Sequence, residues 1–302
     1  MLVEATGSFY ALLAMFGLVI GLVYSVVGAA GGILSTVVLI SIIGITDPNM
    51  VKPMAQILTI ASPLISIPSY YQQARIVFIL GILLGVGGII GAIIGSTFST
   101  YYLSDLNDFK FLFGLFTLYI AFYMLWSVVK NRTQSKKRHN TQERATRFYK
   151  NAVAKNVDEY SVGVQNHSMS WSLIRFKFGN QYFQFAPWLA VFAGFIIALI
   201  SSSLGVGGGF LLVPFMATIM RLPMFVIAAT SAMAIIVSST SSVANYLYLG
   251  ASIDIAVIIY LLIGTVIGSF IGPKVSRYFN ETYLKYFLSI ILFLIGLKYL
   301  YF

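Results

Sequence analysis

Cysteine is absent from this 302-residue sequence, and histidine occurs only twice. Without thiols the chain can form neither disulfides nor thiolate metal sites, and thiol catalysis is excluded. The two histidines, His139 and His167, lie in a polar segment in the middle of the chain. A lone histidine in such a segment is usually solvated, so we expect no metal and no cofactor.

Charged residues are scarce as well. They make up 9% of the chain, compared with about 25% in a typical soluble domain. Hydrophobic residues make up 59%, which is more apolar surface than one core can bury, so lipid has to solvate much of it. The N-terminal MLVEATGSFY has an acid and no base before its apolar run, unlike a signal peptide. We expect a multi-pass protein of the cell membrane in contact with the lipid bilayer.

The few charges are concentrated in one segment. Eleven of the 19 Lys and Arg residues lie between Lys130 and Lys177, with three acidic residues among them. A basic loop of this kind is typical of the cytoplasmic side of a membrane protein, and it does not indicate nucleic-acid binding. No GxxxxGK[ST] phosphate-binding loop occurs, so we expect no ATP hydrolysis by this chain. An enzyme working inside the membrane would need a Ser–His pair, paired Asp residues or a His-rich metal set there, and the sequence has none, so we expect no enzymatic activity.

Ten apolar stretches are long enough to form helices in or across the membrane. Only helices or closed barrels can span a bilayer, and the stretches lack the alternation of barrel strands, so the fold is predicted to be an all-α polytopic membrane protein. They fall at 9–27, 31–44, 54–70, 76–97, 109–129, 186–204, 207–220, 224–248, 254–272 and 282–301.

Two glycine clusters interrupt these stretches, GAAGG at Gly28–Gly32 and GVGGG at Gly205–Gly209. Glycine destabilises a helix interior by about 1 kcal/mol relative to alanine. Clusters of glycine at membrane depth therefore predict broken helices, which are tolerated where the unwound backbone is buried in protein or lines a cavity.

The two clusters belong to an internal repeat. A shift of 177 residues superposes Gly28 on Gly205, and it also superposes the row Gly87, Gly91, Gly95 on the row Gly264, Gly268, Gly272. We interpret these rows as close helix packing. The repeat predicts two homologous four-segment units at 1–129 and 186–302, whose broken helices meet near the membrane midplane. Between them lies a basic cytoplasmic connector, 130–185, with a hairpin at Gly179-Asn180.

The relative orientation of the copies depends on a few charges. Asp105 and Asp108 follow the third helix of the first half, whereas Lys274 and Arg277 stand at the equivalent turn of the second. Opposite charge at equivalent turns favours inverted copies, with each broken pair forming a re-entrant hairpin and both termini outside. The alternative is eight crossings and parallel copies.

The helix that begins after each glycine break is the candidate anion site. Its first N–H groups have no partner within the helix, carry the positive end of the dipole, and are approachable because glycine has no side chain. Hydroxyl and amide side chains cluster nearby. The candidate substrate-binding residues are Ser25, Gly28, Gly31, Gly32, Gln56, Thr59, Ser202, Gly205, Gly207, Gly208, Gly209, Thr230, Ser231 and Asn245.

Ionisable residues are missing from the middle of every predicted span, and Asp47, Lys52 and Asp254 stand at span ends. A proton relay through membrane carboxylates is therefore not expected. A purely dipolar site suits a small anion that is held weakly enough to leave.

The second half carries GFIIALISSSLGVGGGFLLVPFM, followed by ATSAMA. It resembles the sulfite exporter TauE/SafE family of permeases, which includes 4-toluene sulfonate uptake permease-like proteins. The resemblance implies transport of sulfite, sulfonates or related small anions, commonly outward, through Gly205, Gly207, Gly208 and Gly209 with Thr230 and Ser231. The first half departs from the pattern, with GAAGG for GxGGG and with PMAQ at Pro53–Gln56 in place of the Thr-Ser pair.

The leading hypothesis is a secondary transporter or facilitator that moves a small sulfur-containing anion outward across the cytoplasmic membrane. Alternatives are an uptake permease for another small organic anion and a membrane scaffold whose connector binds a cytosolic partner. The sequence is also compatible with a homo-oligomer.

Overall fold

The fold is helical throughout its apolar parts. The computed structural model describes residues 7–27, 31–133, 140–170, 172–275 and 281–301. The first half contains α1 (Gly7–Val27), α2 (Gly31–Val37, continued by a π-helical turn at Val38–Ile42), α3 (Pro48–Gln72), α4 (Phe78–Tyr102) and α5 (Leu106–Thr133). The connector contains α6 (Asn140–Ala154), α7 (Glu159–Val162), β1 (Val164–Met169), β2 (Ile174–Phe178) and β3 (Gln181–Phe185). The second half contains α8 (Pro187–Leu204), α9 (Gly209–Thr218), α10 (Met224–Tyr248), α11 (Ile255–Val275) and α12 (Glu281–Tyr301).

Each of the ten apolar stretches corresponds to one of the helices α1–α5 and α8–α12. Within the described ranges, six helices are long and apolar enough to cross a membrane, and four shorter apolar helices accompany them. Large apolar side chains such as Ile82, Phe98 and Phe270 point outward, as lipid-facing residues do. The all-α polytopic class is confirmed.

The glycine rows bring helices of the two halves into close contact. A Cβ atom on Gly91 or Gly95 of α4 would overlap the carbonyls of Phe195 and Leu199 in α8. Likewise, a Cβ on Gly268 of α11 would overlap the carbonyl of Leu18 in α1. The first helix of each half therefore packs on a later helix of the other half, and the interpretation of the rows as helix-packing surfaces is confirmed.

The helices α3 and α10 run in opposite directions. Asn49, at the start of α3, donates to the carbonyl of Thr100 at the end of α4, so these two helices are antiparallel. Thr230, near the start of α10, binds Val77 at the start of α4, and Asn245 near its end binds Thr97. Residues of α3 and α10 are equivalent under the 177-residue shift, and inverted copies require this opposition. The internal repeat and its orientation stay predictions.

The connector folds onto one end of the helical body. Strands β2 and β3 form the hairpin with Gly179 and Asn180 at its turn, and β1 adds a third antiparallel strand that the sequence did not reveal. Tyr149 of α6 is buried, stacks on Phe178 and donates to the carbonyl of Gln73 at 2.9 Å. Burial raises the pKa of the Tyr149 phenol, while the Arg75 guanidinium opposes the shift. The 1–129, 130–185 and 186–302 division stays a prediction.

Candidate functional site

The second glycine break has a backbone that only glycine adopts readily. Helix α8 ends at Leu204, and the chain then turns through Gly205 with φ 69° and Gly207 with φ 67° before α9 begins at Gly209. Both φ values lie in the left-handed region, where a Cβ atom costs roughly 1–2 kcal/mol. The sequence GVGGG therefore directly produces the break.

The two glycine breaks touch each other. A Cβ atom on Gly32, at the start of α2, would overlap the carbonyl of Val206 in the second break. The side chain of Thr59 lies against both Gly32 and Gly207. Thr59 stands near the middle of the 25-residue helix α3, so the contact between the breaks lies about halfway along that helix. Gly28, the first glycine of the other break, lies outside the described residues.

The start of α9 presents a run of unpaired donors. Among the described residues, no backbone or side-chain oxygen accepts a hydrogen bond from the N–H groups of Gly207 to Phe210. Four successive free N–H groups at the positive end of a helix dipole favour an anion. Gly208 has an ordinary helical φ of −76°, so its lack of a side chain matters here for access to the backbone.

One face of α3 lines this break. Residues at positions i, i+4 and i+7 share a helix face, and Lys52, Gln56 and Thr59 have this spacing. The backbone of Lys52 lies against Gly205, and Thr59 lies against Gly207. Gln56 lies between them on the same face of α3. It is 1% exposed, and its carbonyl oxygen Oε1 has no hydrogen-bond partner among the residues that the structure describes.

Lys52 is a functional candidate that the sequence analysis did not single out. Its side chain is fully buried, and Nζ donates to Asn49 Oδ1 (3.3 Å) and to the carbonyls of Ser99 (3.2 Å) and Leu103 (2.6 Å). Three acceptors match the three N–H bonds of an ammonium group. The carbonyls belong to the C-terminal end of α4, where a cation is favourable. In the described part of the chain, no carboxylate lies within 4.0 Å of it.

The end of α8 is fixed by side chains from other helices. Ser99 Oγ donates to the carbonyl of Ser203 at 2.6 Å, and the Tyr246 hydroxyl donates to the carbonyl of Ser202 at 2.8 Å. Ser203 Oγ in turn donates to the carbonyl of Gly95 at 3.0 Å. The bond from Ser99 satisfies a carbonyl that loses its helical partner at the break, and the three bonds together hold the end of α8 in a defined position.

Several of the predicted hydroxyl and amide residues bind neighbouring protein groups. Thr230 Oγ1 accepts a bond from the Val77 N–H, while Ser231 and Ser25 donate to carbonyls of their own helices. Asn245 binds the hydroxyls of Ser96 and Thr97 at the end of α4. The predicted residues that lie around the two breaks are Gly32, Gln56, Thr59, Gly205 and Gly207–Gly209. Gly31 packs against Tyr24, and Ser202 contributes its backbone carbonyl.

A small cavity adjoins the second break. It is lined by residues of α4, α8, α9 and α10, including Gly88, Gly208 and Ser238, and its volume is about 10 Å³. That is room for about one water molecule. A sulfur oxyanion is larger, so binding in this cavity requires the surrounding helices to move apart.

Comparisons with known proteins agree with this architecture. The model of the family "Sulfite exporter TauE/SafE" matches residues 13–299. The chain is also similar to the "Probable membrane transporter protein YunE" of Bacillus subtilis (strain 168), with 22% identity over 299 residues that cover 97% of each protein. No solved structure matches the chain. The match extends over nearly the whole chain, connector included, and the chain belongs to the TauE/SafE sulfite exporter family of membrane transporters.

Proposed function

We propose that this membrane transporter is a secondary transporter or facilitator for a small sulfur-containing anion, such as sulfite or a sulfonate, and that it moves the anion outward. The observation that carries the proposal is the run of free N–H groups at Gly207–Phe210, buried where the two glycine breaks touch. Such groups bind an oxyanion through dipoles alone, and they can release it because no opposite charge is neutralised in direct contact.

The electrostatics of the cell favour the outward direction. A membrane potential that is negative inside drives a monoanion outward by about 2.3 kcal/mol per 100 mV. Export therefore needs no coupled ion. The described helices α3, α8 and α9, which form the break and its neighbouring face, contain no Asp or Glu, so a proton relay through acidic side chains is not part of the proposal.

Flux of labelled sulfite, taurine and sulfoacetate in proteoliposomes tests the proposal. In Gly208→Leu the side chain covers the free N–H groups, and flux should be lost. Gly208→Ala is a milder variant, since its Cβ would lie 3.4 Å from the nearest atom, Leu212 Cδ1, and it should reduce flux while the protein stays folded. Gly7→Ala is the matched control because no described residue lies within 4 Å of its added Cβ. Wild-type flux in a folded Gly208→Leu protein would remove the break from the transport pathway.

An uptake permease for another small organic anion would use the same donors. It is distinguished by the direction of net flux under an imposed potential and by transport of a carboxylate in place of a sulfonate. A scaffold that recruits a cytosolic partner through its connector would show no flux of any of these anions even in the intact protein.

A further inference from the structure

The candidate site includes a buried amide, that of Gln56, which a simple anion does not satisfy. Its Oε1 atom is buried, belongs to a side chain that is 1% exposed, and has no hydrogen-bond partner in the described part of the chain. An acceptor left unpaired away from water is costly, and such groups in a folded protein usually have a functional reason.

The position of Gln56 directs this amide at the proposed substrate. It lies on the face of α3 between Lys52 and Thr59, which lie against Gly205 and Gly207 respectively. The free N–H groups begin at Gly207. An anion that accepts from the N–H group of Gly207, which lies against Thr59, is on the side of the break that faces α3 and Gln56.

Ligand chemistry follows from this pairing. A fully deprotonated oxyanion such as sulfate or sulfite dianion has only acceptors, so it can satisfy the N–H groups but leaves Oε1 unpaired. A ligand with both an oxyanion and an O–H or N–H donor satisfies both. The inference requires Oε1 to face the break, because a rotated amide would present its N–H groups there and a plain oxyanion would satisfy them.

We infer that the substrate is a monoanionic or zwitterionic sulfur oxyacid that carries its own hydrogen-bond donor, and that Gln56 selects it. This inference rests on the proposed function. Hydrogen sulfite, hydroxyalkyl sulfonates and aminoalkyl sulfonates belong to this class. Fully deprotonated dianions and plain alkyl sulfonates do not. A site that hydrogen-bonds a substrate hydroxyl rejects an analogue lacking it far more strongly than an apolar pocket discriminates by size.

A matched pair of ligands isolates the donor. Isethionate and 1-propanesulfonate are similar in length and carry the same sulfonate, but only isethionate has a hydroxyl group. Both stay monoanionic over the neutral pH range, so protonation does not confound the comparison. In proteoliposomes we expect the wild-type protein to show kcat/KM about 5- to 100-fold higher for isethionate, the range that corresponds to leaving one buried acceptor unpaired.

Gln56→Met tests the role of the residue. Methionine has a similar volume and no amide oxygen, and within the described ranges Gln56 Oε1 accepts no hydrogen bond that its replacement would break. The two ligands should then be transported with kcat/KM values within about twofold of each other. Gln56→Leu is a second apolar variant in case the thioether itself affects folding.

Three results would overturn the inference. Equal kcat/KM for the two ligands in the wild-type protein would show that no donor is read, while the proposed function would stand. A preference for isethionate that persists unchanged in Gln56→Met and Gln56→Leu would show that another residue recognises the hydroxyl group. Absence of flux for both sulfonates and for sulfite would remove the proposed function, and the inference with it.

Discussion

Removal of the Lys52 charge is the sharpest electrostatic test of the site. Thr59 stands seven residues after Lys52, a rise of about 10 Å along α3, and the Lys52 ammonium group extends toward the end of α4. We therefore take about 10–15 Å as its separation from an anion at the break. At an effective dielectric constant of about 20, this gives roughly 1.1–1.7 kcal/mol of attraction for a monoanion. Lys52→Met should raise KM for sulfite or isethionate about 6- to 20-fold.

The variant also changes folding, and the two effects have to be separated. Methionine leaves the carbonyls of Ser99 and Leu103 without the donor that Lys52 supplies, but it also removes a buried charge. These terms have opposite signs, each of a few kcal/mol. Thermal stability of the purified protein in detergent is therefore measured alongside flux.

Taurine provides an internal control for the electrostatic reasoning. Its net charge is zero at neutral pH, so loss of the Lys52 charge should change its KM much less than that of a monoanion. Lys155→Met, in the exposed part of the connector, is the matched charge control and should leave KM unchanged. An unaltered KM for the monoanion in folded Lys52→Met protein would refute the claim that the Lys52 charge attracts the bound anion.

The other predictions concern backbone strain, connector docking and topology. In Gly207→Ala the new Cβ overlaps the side chain of Thr59, and the residue keeps a left-handed φ of 67°; the change should lower stability by about 1–2 kcal/mol and abolish flux. Gly44→Ala is the control for strain alone, because Gly44 has φ 83° and no described neighbour within 4 Å of an added Cβ. It should keep its flux if the loss in Gly207→Ala is specific to the site. Tyr149→Phe removes the donor to the Gln73 carbonyl and should accelerate limited proteolysis of the connector severalfold. Tyr160 is 54% exposed, so Tyr160→Phe should not. Equal proteolysis of the two variants would contradict the role of Tyr149 in holding the connector against the helices. A reporter fused to the C-terminus should be accessible from outside the cell, and a cytoplasmic reporter would contradict the inverted arrangement of the two halves.

The sequence predicted the elements of the fold better than the partners of individual side chains. Apolar stretches and glycine clusters are local signals, because lipid solvation fixes helix length and glycine destabilises a helix wherever it clusters. They located the helices and the second break, whose Gly205 and Gly207 have left-handed backbones. Strand β1 was missed because Val164–Met169, VQNHSM, is polar and acquires its strand character by pairing with β2.

Lys52 and Thr230 show why site residues were harder to predict. Both depend on contacts between distant parts of the chain. Thr230 carries a hydroxyl beside the break motif, but that hydroxyl is bound to Val77, 153 residues earlier. Lys52 stands at a span end in the sequence, and only the return of α4 to the start of α3 buries it next to Gly205. Composition and periodicity contain no information on either contact.

The exchanged packing of α1 and α11 has a consequence for biosynthesis. The glycine face of α1 at Gly17 is complementary to Leu261, which the ribosome adds about 240 residues later. At about 5–20 residues per second, α1 waits roughly 12–50 s in the membrane before its partner is made. During that interval its small-residue groove can accept other helices. Assembly of the first half must therefore remain reversible until α11 inserts, and slow translation or early termination should expose this transporter to quality-control proteolysis more than a protein with sequentially packed helices.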